Sequence, residues 1–243
     1  MASIDYTDYK TLNPKYGKQT EKFLNEQCPH GVDNCPLREN ELFPCLYKYK
    51  IIKKKRIRAA TRGAYVRLTD LKIDSECKVE FRFQTISGKL NQIAMIAGNR
   101  NSGLPFGFWI NSQGGSSRNY SFPGTASGKL YSYNFSSDVD YRATLDKNGF
   151  WVNDVLVAST TPPAEVASCT SSAWLNVCND GGGVYGYNEH WVYHIKVWRS
   201  GELIRSFVAA YSEKLEKFGF YDEVNDIFYP SSNSSAQFTD AEP

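Results

Sequence analysis

The run DYRATLDKNGFWVNDVLVAST, residues 140–160, constrains the fold more than any other part of the chain. It sets out a strand, the turn signal Lys147-Asn148-Gly149, a strand with Phe150 and Val152, a turn at Asn153-Asp154, and the strand VLVAST. Asn-Gly pairs and their relatives take the left-handed backbone that tight hairpins need, so these strands are expected to pair antiparallel with their neighbours in sequence.

The same pattern runs from about residue 64 to the C-terminus. VEFRFQTI alternates Val79, Phe81, Phe83 and Thr85 with Glu80, Arg82, Gln84 and Ile86, so one side is mainly apolar and the other largely polar. QIAMIAGN is a near-continuous apolar run, the pattern of a strand covered on both faces. PFGFWINS, KLYSYNF, SSAWLNVCND and HWVYHIKVWRSGELIRSFVAAY supply further strands, the last two joined at Arg199-Ser200-Gly201. No long amphipathic helix separates them. The aromatic content of 14%, with 16 Tyr and 14 Phe, suits strands with half-buried faces. These features predict an all-β, two-sheet antiparallel jelly-roll sandwich over residues 61–243, preceded by an irregular N-terminal arm, residues 1–60.

The arm differs chemically from the domain. A short helix is expected after Pro14, with Phe23 and Leu24 on one side. Cys28, His30, Cys35 and Cys45 are the nearest approach to a zinc set, but the paired CxxC knuckles of structural zinc are missing and ordinary thiols are expected. Cys169 and Cys178 fall on neighbouring strands, where buried thiols are expected. The run KYKIIKKKRIR holds seven positive charges in eleven residues. It suits a Lys-rich edge that resists aggregation, or docking on an acidic partner protein through Lys53, Lys54, Lys55 and Arg56.

A net charge of +2 argues against global attraction to nucleic acid or membrane. No run reaches the length of a membrane span, and MASIDYTDYK lacks the basic and apolar regions of a secretory signal. The expectation is a protein made in a cytoplasm that leaves, if it does, by a route such as lysis of an infected cell.

The order of several pieces carries a resemblance. YRATLDKNGFWVNDVLV is followed by WLNVCNDGGGVYGYNEHWVYHIKVWRSGELIRSFVAAY and then by GFYDEVNDIFYP. Within it, Tyr193-His194-Ile195-Lys196-Val197-Trp198, Gly201 to Phe207 and Gly219 to Tyr229 resemble the late strands of laminin-G-like, concanavalin A-like jelly rolls of tailed-bacteriophage virion proteins. The resemblance covers about residues 64–240. Val208-Ala209-Ala210-Tyr211 lacks the proline usual there, and residues 1–60 match nothing familiar.

The resemblance implies a non-enzymatic virion component, decorating the capsid or sitting on a tail or fibre. Its arm would anchor to other virion proteins or drive homo-oligomerisation, and its outward jelly roll would touch cell-surface glycans. A free carbohydrate-binding lectin is the alternative and a glycoside hydrolase the third reading. Sugars bind aromatic faces flanked by amides and carboxylates, which makes Trp109, Asn111, Tyr120, Tyr185, Tyr187 and Asn188 glycan-contact candidates. No cofactor is expected, although Asn179 and Asp180 offer two hard oxygen ligands where calcium takes six to eight.

Catalytic residues are not expected. Asp74, Glu76 and Glu80 in DSECKVE stand at even spacing, as paired carboxylates of a glycosidase strand do, but their order is wrong and Lys78 sits among them. His190 and His194 are four apart, which on a regular strand places both on one face, and no G-x-S-x-G accompanies them. FGFYDEVNDIFYP reads as a closing hairpin, with Phe218, Phe220 and Asp222 on one face and a two-residue turn at Asn225-Asp226. Asp222 is expected to accept nearby backbone N–H groups.

Overall fold

The computed structural model describes residues 51–89, 94–99, 106–110, 117–119, 131–159, 162, 165–166, 168–169, 172–180, 183–213 and 215–243, at 94–99, 106–110, 117–119, 131–132, 178, 180 and 185 by backbone alone. The described residues form strands β1 (Ile51–Lys53), β2 (Arg58–Ala59), β3 (Cys77–Gln84), β4 (Ala94–Asn99), β5 (Phe106–Ile110), β6 (Ser117–Asn119), β7 (Tyr131–Tyr133), β8 (Asp140–Asp146) and β9 (Gly149–Val152). They continue with β10 (Val155–Ser159), β11 (Trp174–Leu175), β12 (Val177–Asp180), β13 (Gly183–Tyr187), β14 (Trp191–Arg199), β15 (Glu202–Ser212), β16 (Lys217–Asp222), β17 (Ile227–Pro230) and β18 (Phe238–Thr239). Among these residues there is no helix, and the fold is an all-β sandwich of the jelly-roll kind.

The larger sheet runs β10-β9-β8-β3-β14-β15-β16-β17, with β1 added on β15. The smaller runs β11-β4-β12-β13, with β5 on the other side of β4, and only its β12–β4 contact is parallel. The central strand β3 buries Cys77, Val79, Phe81 and Phe83, each 1% exposed or less, and turns Lys78 and Arg82 to solvent. This is the alternation expected from VEFRFQTI, because successive side chains of a pleated strand leave on opposite faces. Phe150, Phe207 and Phe220 join Phe81 and Phe83 in one core that also takes Leu68, Ile73 and Leu175. Each such side chain contributes about 1.5–3 kcal/mol by leaving water.

The first hairpins follow the sequence closely. Asn153 and Asp154 both have positive φ, 49° and 66°, the type I′ geometry whose twist matches paired strands. Asn153 fixes this turn twice: its N–H donates to the Arg142 carbonyl at 2.8 Å and its Oδ1 accepts the Arg142 N–H at 2.9 Å. At the preceding turn, Asp146 Oδ1 accepts the N–H groups of Asn148 at 2.7 Å and Gly149 at 3.3 Å. Gly149 itself is not in the left-handed region. Glycine is required there because a Cβ would run into the Ala158 carbonyl of β10.

Two expectations are corrected. The chain divides into units 1–50 and 51–243, so the domain begins about ten residues before the arm was expected to end. Residues 51–59 belong to the domain: β1 pairs with β15, Ile57 bridges Val192, and β2 pairs with β18 next to the C-terminus. The closing hairpin is also wider than predicted, because β16 stops at Asp222 and residues 223–226 make a four-residue loop before β17. Asp222 Oδ1 accepts the Val224 N–H at 3.1 Å, an Asx turn that peels the chain off the ladder two residues early. The reading of Asp222 as a backbone acceptor holds.

Candidate functional site

The site is assembled around one isolated bridge. Val66 pairs with Leu175, each giving its N–H to the other's carbonyl at 3.0 and 2.9 Å, and both side chains lie in the main core. Alternation then sends their neighbours Tyr65 and Trp174 to the opposite side of the smaller sheet, where both are still buried, 7% and 3% exposed. There they form a second apolar cluster with Val177, Val184 and Tyr187, separate from the core. The Tyr65 and Trp174 rings stack with centroids 5.8 Å apart and planes 17° from parallel, and Tyr187 leans on Tyr65 at 6.4 Å.

Two arginines cover this cluster. The Arg67 guanidinium lies 4.7 Å from the Trp174 ring centroid and donates to the Tyr65 hydroxyl at 3.4 Å. The Arg62 guanidinium lies 5.8 Å from the Tyr187 ring. The segment carrying both is fastened by the C-terminal stretch: Ser232 Oγ accepts the Arg67 N–H at 2.8 Å, the Ser232 N–H donates to the Tyr65 carbonyl at 2.7 Å, and Asn233 Nδ2 donates to the Gly63 carbonyl. The indole N–H of Trp174 is buried without an acceptor. In register, Trp174 stands across from Gly98 of β4, and Gly98 across from Gly107 of β5, so two residues without side chains follow the tryptophan across the sheet.

Of the glycan-contact candidates, Tyr187 belongs to this face. Tyr185 stands across from Cys178 in β13, and Trp109 across from Met95 in β5, two positions from Gly107. Asn111 and Tyr120 lie outside the described residues, as do Cys28, His30, Cys35 and Cys45 and the helix expected after Pro14.

Asn188 is a correction: it is fully buried and committed to the fold. Its Nδ2 donates to Asn176 Oδ1 at 2.8 Å, and its Oδ1 accepts the His190 N–H. Asn176, at φ 67°, in turn donates to the Ala64 carbonyl at 2.7 Å. This buried amide pair replaces the ladder where β11 breaks from β12, so its polar groups are satisfied internally and reach no ligand.

Asn179 is buried too, its Nδ2 donating to the Ser172 carbonyl at 2.8 Å, while Asp180 stands across from Gly183. Among the described residues no group of three or more His, Cys, Asp or Glu side chains converges as a metal centre would.

From residue 51 on, where the structure describes it, the basic run is largely engaged within the chain. Lys53 pairs with Glu223 at 2.5 Å, Lys54 with Asp240 at 2.9 Å, and Arg56 with Glu242 at 2.5 Å. Arg56 also reaches Gln84 and stacks 4.3 Å over Trp191. Of the four docking candidates only Lys55 extends to solvent without such a partner. The run forms a seam between the entry to the domain and its C-terminus.

The titratable groups weighed for catalysis are dispersed. Asp74 precedes β3, accepts the Glu76 N–H at 3.0 Å and pairs with Arg199 at 2.7 Å. Glu76 pairs with Lys147 at 2.8 Å. Glu80 accepts from His194 Nε2 at 3.0 Å, and that hydrogen bond holds its carboxyl below the usual range.

His190 does not share a face with His194, because it precedes β14 and a bulge between Val192 and His194 shifts the register. It is fully buried, its Nδ1 accepts the Ile86 N–H at 3.1 Å, and burial depresses its pKa to about 4. Burial likewise pushes the Cys77 thiol up to about 12.

Around the closing hairpin, Asp222 is fully buried, Glu223 bonds Ser206 and Lys53, and Asp226 accepts from Tyr221. Three carboxylates thus serve three separate structural contacts.

Sequence reasoning missed Tyr65, Trp174, Arg62 and Arg67. Their signal was the alternation in AYVRL and SAWLN, legible only once Val66 and Leu175 are known to pair. Compared with known proteins, the chain matches no family model and no curated protein.

Proposed function

We propose that the chain is a non-catalytic display and binding module, a virion component of a tailed phage on capsid, tail or fibre. Residues 1–50 would anchor it to other virion proteins, and the jelly roll would face outward. The observation that carries the binding part is the rim of the second cluster, where half-buried Tyr187 and the exposed Arg62 and Arg67 guanidiniums lie over buried Tyr65 and Trp174 rings set apart from the main core. A half-buried tyrosine ring flanked by exposed guanidinium donors suits the apolar edge and hydroxyl rim of a sugar. The virion assignment rests on the resemblance of the late strands, and the internal engagement of Asp74, Glu76 and Glu80 favours binding over hydrolysis.

Quantitative mass spectrometry of purified particles from the phage encoding this chain tests the assignment. A fixed copy number per particle is expected. Absence from particles, with tight sugar binding by the soluble protein, would replace it with a free lectin. Cleavage of a polysaccharide that is lost on Glu80→Gln would replace it with a hydrolase.

A further inference from the structure

We infer that the strip Lys54, Arg56 and Arg58 is a docking site for an acidic, extended peptide segment of a partner protein, and that residues 240–243 occupy it as a tethered competitor in the free chain. The three cations stand at alternate positions leading into β2, and rings fix each of them. Arg56 and Arg58 converge on one indole: their guanidiniums lie 4.3 and 5.3 Å from the ring of buried Trp191. Lys54 Nζ lies 5.4 Å from the Phe218 ring and 5.8 Å from that of Tyr211, and these two rings lean together at 4.9 Å. A cation supported by a ring turns its N–H donors to acceptors on the other side and loses less freedom when one binds. The intervening Lys53 goes to Glu223 instead, and Lys55 to solvent.

The acceptors now on the strip come from the far end of the seam. Asp240 pairs with Lys54 at 2.9 Å, Glu242 with Arg56 at 2.5 Å, and the Ala241 carbonyl accepts from Arg58 Nε at 3.1 Å. Two carboxylates at alternate positions, with a backbone carbonyl between them, thus satisfy all three cations. The seated segment defines the chemistry that the strip takes: an extended peptide with acidic residues two apart.

The way this segment is held allows exchange. The β18–β2 ladder ends where Thr239 pairs with Arg58, and the Ala241 N–H turns back to Thr239 Oγ1 at 3.1 Å. Residues 240–243 are exposed, Glu242 by 72%. Ion pairs exposed to this degree are individually weak, so together they favour the seated segment by only about tenfold. Phe238, by contrast, is buried against Phe220, so β18 stays in place when residues 240–243 leave. A nucleic acid strand suits the strip less well, since it needs cations that track along many phosphates.

The test compares the full chain with a variant lacking residues 240–243. Fluorescence polarisation at low salt reads the binding of a labelled peptide of three Asp-Ala-Glu-Ala repeats. A peptide of the same composition with its acids in one block, and single-stranded oligothymidylate, serve as controls. Removing residues 240–243 is expected to tighten binding of the repeat peptide about tenfold, the factor by which a competitor seated tenfold in its own favour masks a site. Arg56→Gln and Arg58→Gln in the truncated protein should each weaken that binding about tenfold, with Arg56→Lys in between, because lysine keeps the charge but not the fork. An unchanged melting temperature verifies that the truncated protein is folded.

Equal binding by the full and truncated chains would overturn the inference, since residues 240–243 and the peptide would then not share a site. Block peptide bound as tightly as the repeat peptide would overturn it in favour of unspecific charge attraction, and tighter binding of oligothymidylate in favour of a nucleic-acid strand. No binding of the repeat peptide to the truncated chain would overturn the docking site itself. The saccharide reading of the second cluster is independent of all these outcomes.

Discussion

The carboxylate of Asp222, fully buried at the end of β16, accepts the backbone N–H of Ser206 from β15 at 3.1 Å. The same oxygen takes the Val224 N–H, and the other takes Asn225 Nδ2 at 2.7 Å, with Arg205 Nε 3.5 Å away. One side chain thereby ends the β16 ladder, shapes the loop and anchors it on the neighbouring strand.

Asp222→Ala is therefore expected to cost about 3 kcal/mol or more, because it strands buried N–H donors and leaves Arg205 with Asp70 as its one remaining carboxylate partner. Asp222→Asn keeps an acceptor for the backbone donors and should cost less. Urea titration with an unchanged slope would measure both, and an alanine variant within about 0.5 kcal/mol of wild type would refute the role.

Gly219→Ala and Gly149→Ala are both expected to destabilise by about 2 kcal/mol or more. In each case the new methyl would meet a backbone carbonyl of the adjacent strand, that of Tyr229 or of Ala158. Gly88→Ala meets nothing within 4 Å but sits at φ 74°, so its cost should be only about 1 kcal/mol. Thermal denaturation of the three variants should rank them in that order.

The domain boundary gives a truncation test. A protein of residues 51–243 is expected to fold, whereas 61–243 should lose about 4 kcal/mol or more. The shorter form lacks fully buried Ile57 and Ala59, the two hydrogen bonds of the Ile57–Val192 bridge, and the partners of β15 and β18. The ion pairs of the same seam are largely exposed, so Glu242→Ala should change stability by less than about 1 kcal/mol. Equal stability of the two truncated forms would place the boundary at residue 60 after all.

His190 predicts a pH effect with a definite sign. Its folded pKa of about 4 lies below the ordinary imidazole value of 6.5, so the unfolded chain binds the proton more readily. Stability should be complete above about pH 6.5, fall by about 3 kcal/mol towards pH 4, and lose nothing further from this group below that. Glu80 has its pKa lowered from 4.5, so its contribution is present above that value and fades further down the acid range. The slope between pH 6.5 and 5 should therefore flatten in His190→Asn, which keeps an acceptor for the Ile86 N–H and removes the titration.

Cys77 is expected to resist alkylation in the native protein at pH 8. It is 1% exposed, and burial pushes its thiol up to about 12, so both access and thiolate are withheld. Peptide mass spectrometry after timed iodoacetamide treatment should show Cys77 labelled only as fast as the protein unfolds.

The periodic elements were legible because their causes are local. The alternation of β3 and the Asn153-Asp154 turn depend on residues adjacent in sequence, and each appeared where the pattern placed it. The two-residue turn at Asn225-Asp226 was misjudged because the Asx turn of Asp222 depends on anchorage to Ser206, sixteen residues away. The partners of the basic run were not legible for a like reason: Glu223, Asp240 and Glu242 lie far along the chain, and charge alone does not say which of them it will meet.

The sequence by itself determined the class of fold, its strands and most of its hairpins, since backbone preference and side-chain alternation act over a few residues. Only the tertiary structure decided which polar groups are buried and which aromatics gather outside the main core. Asn188 disappeared into a network with Asn176 and His190, while Tyr65 and Trp174 came to share a face across a gap of more than a hundred residues. That outcome depends on the bridge between Val66 and Leu175, a long-range pairing chosen by the packing of the core and not written in either segment alone.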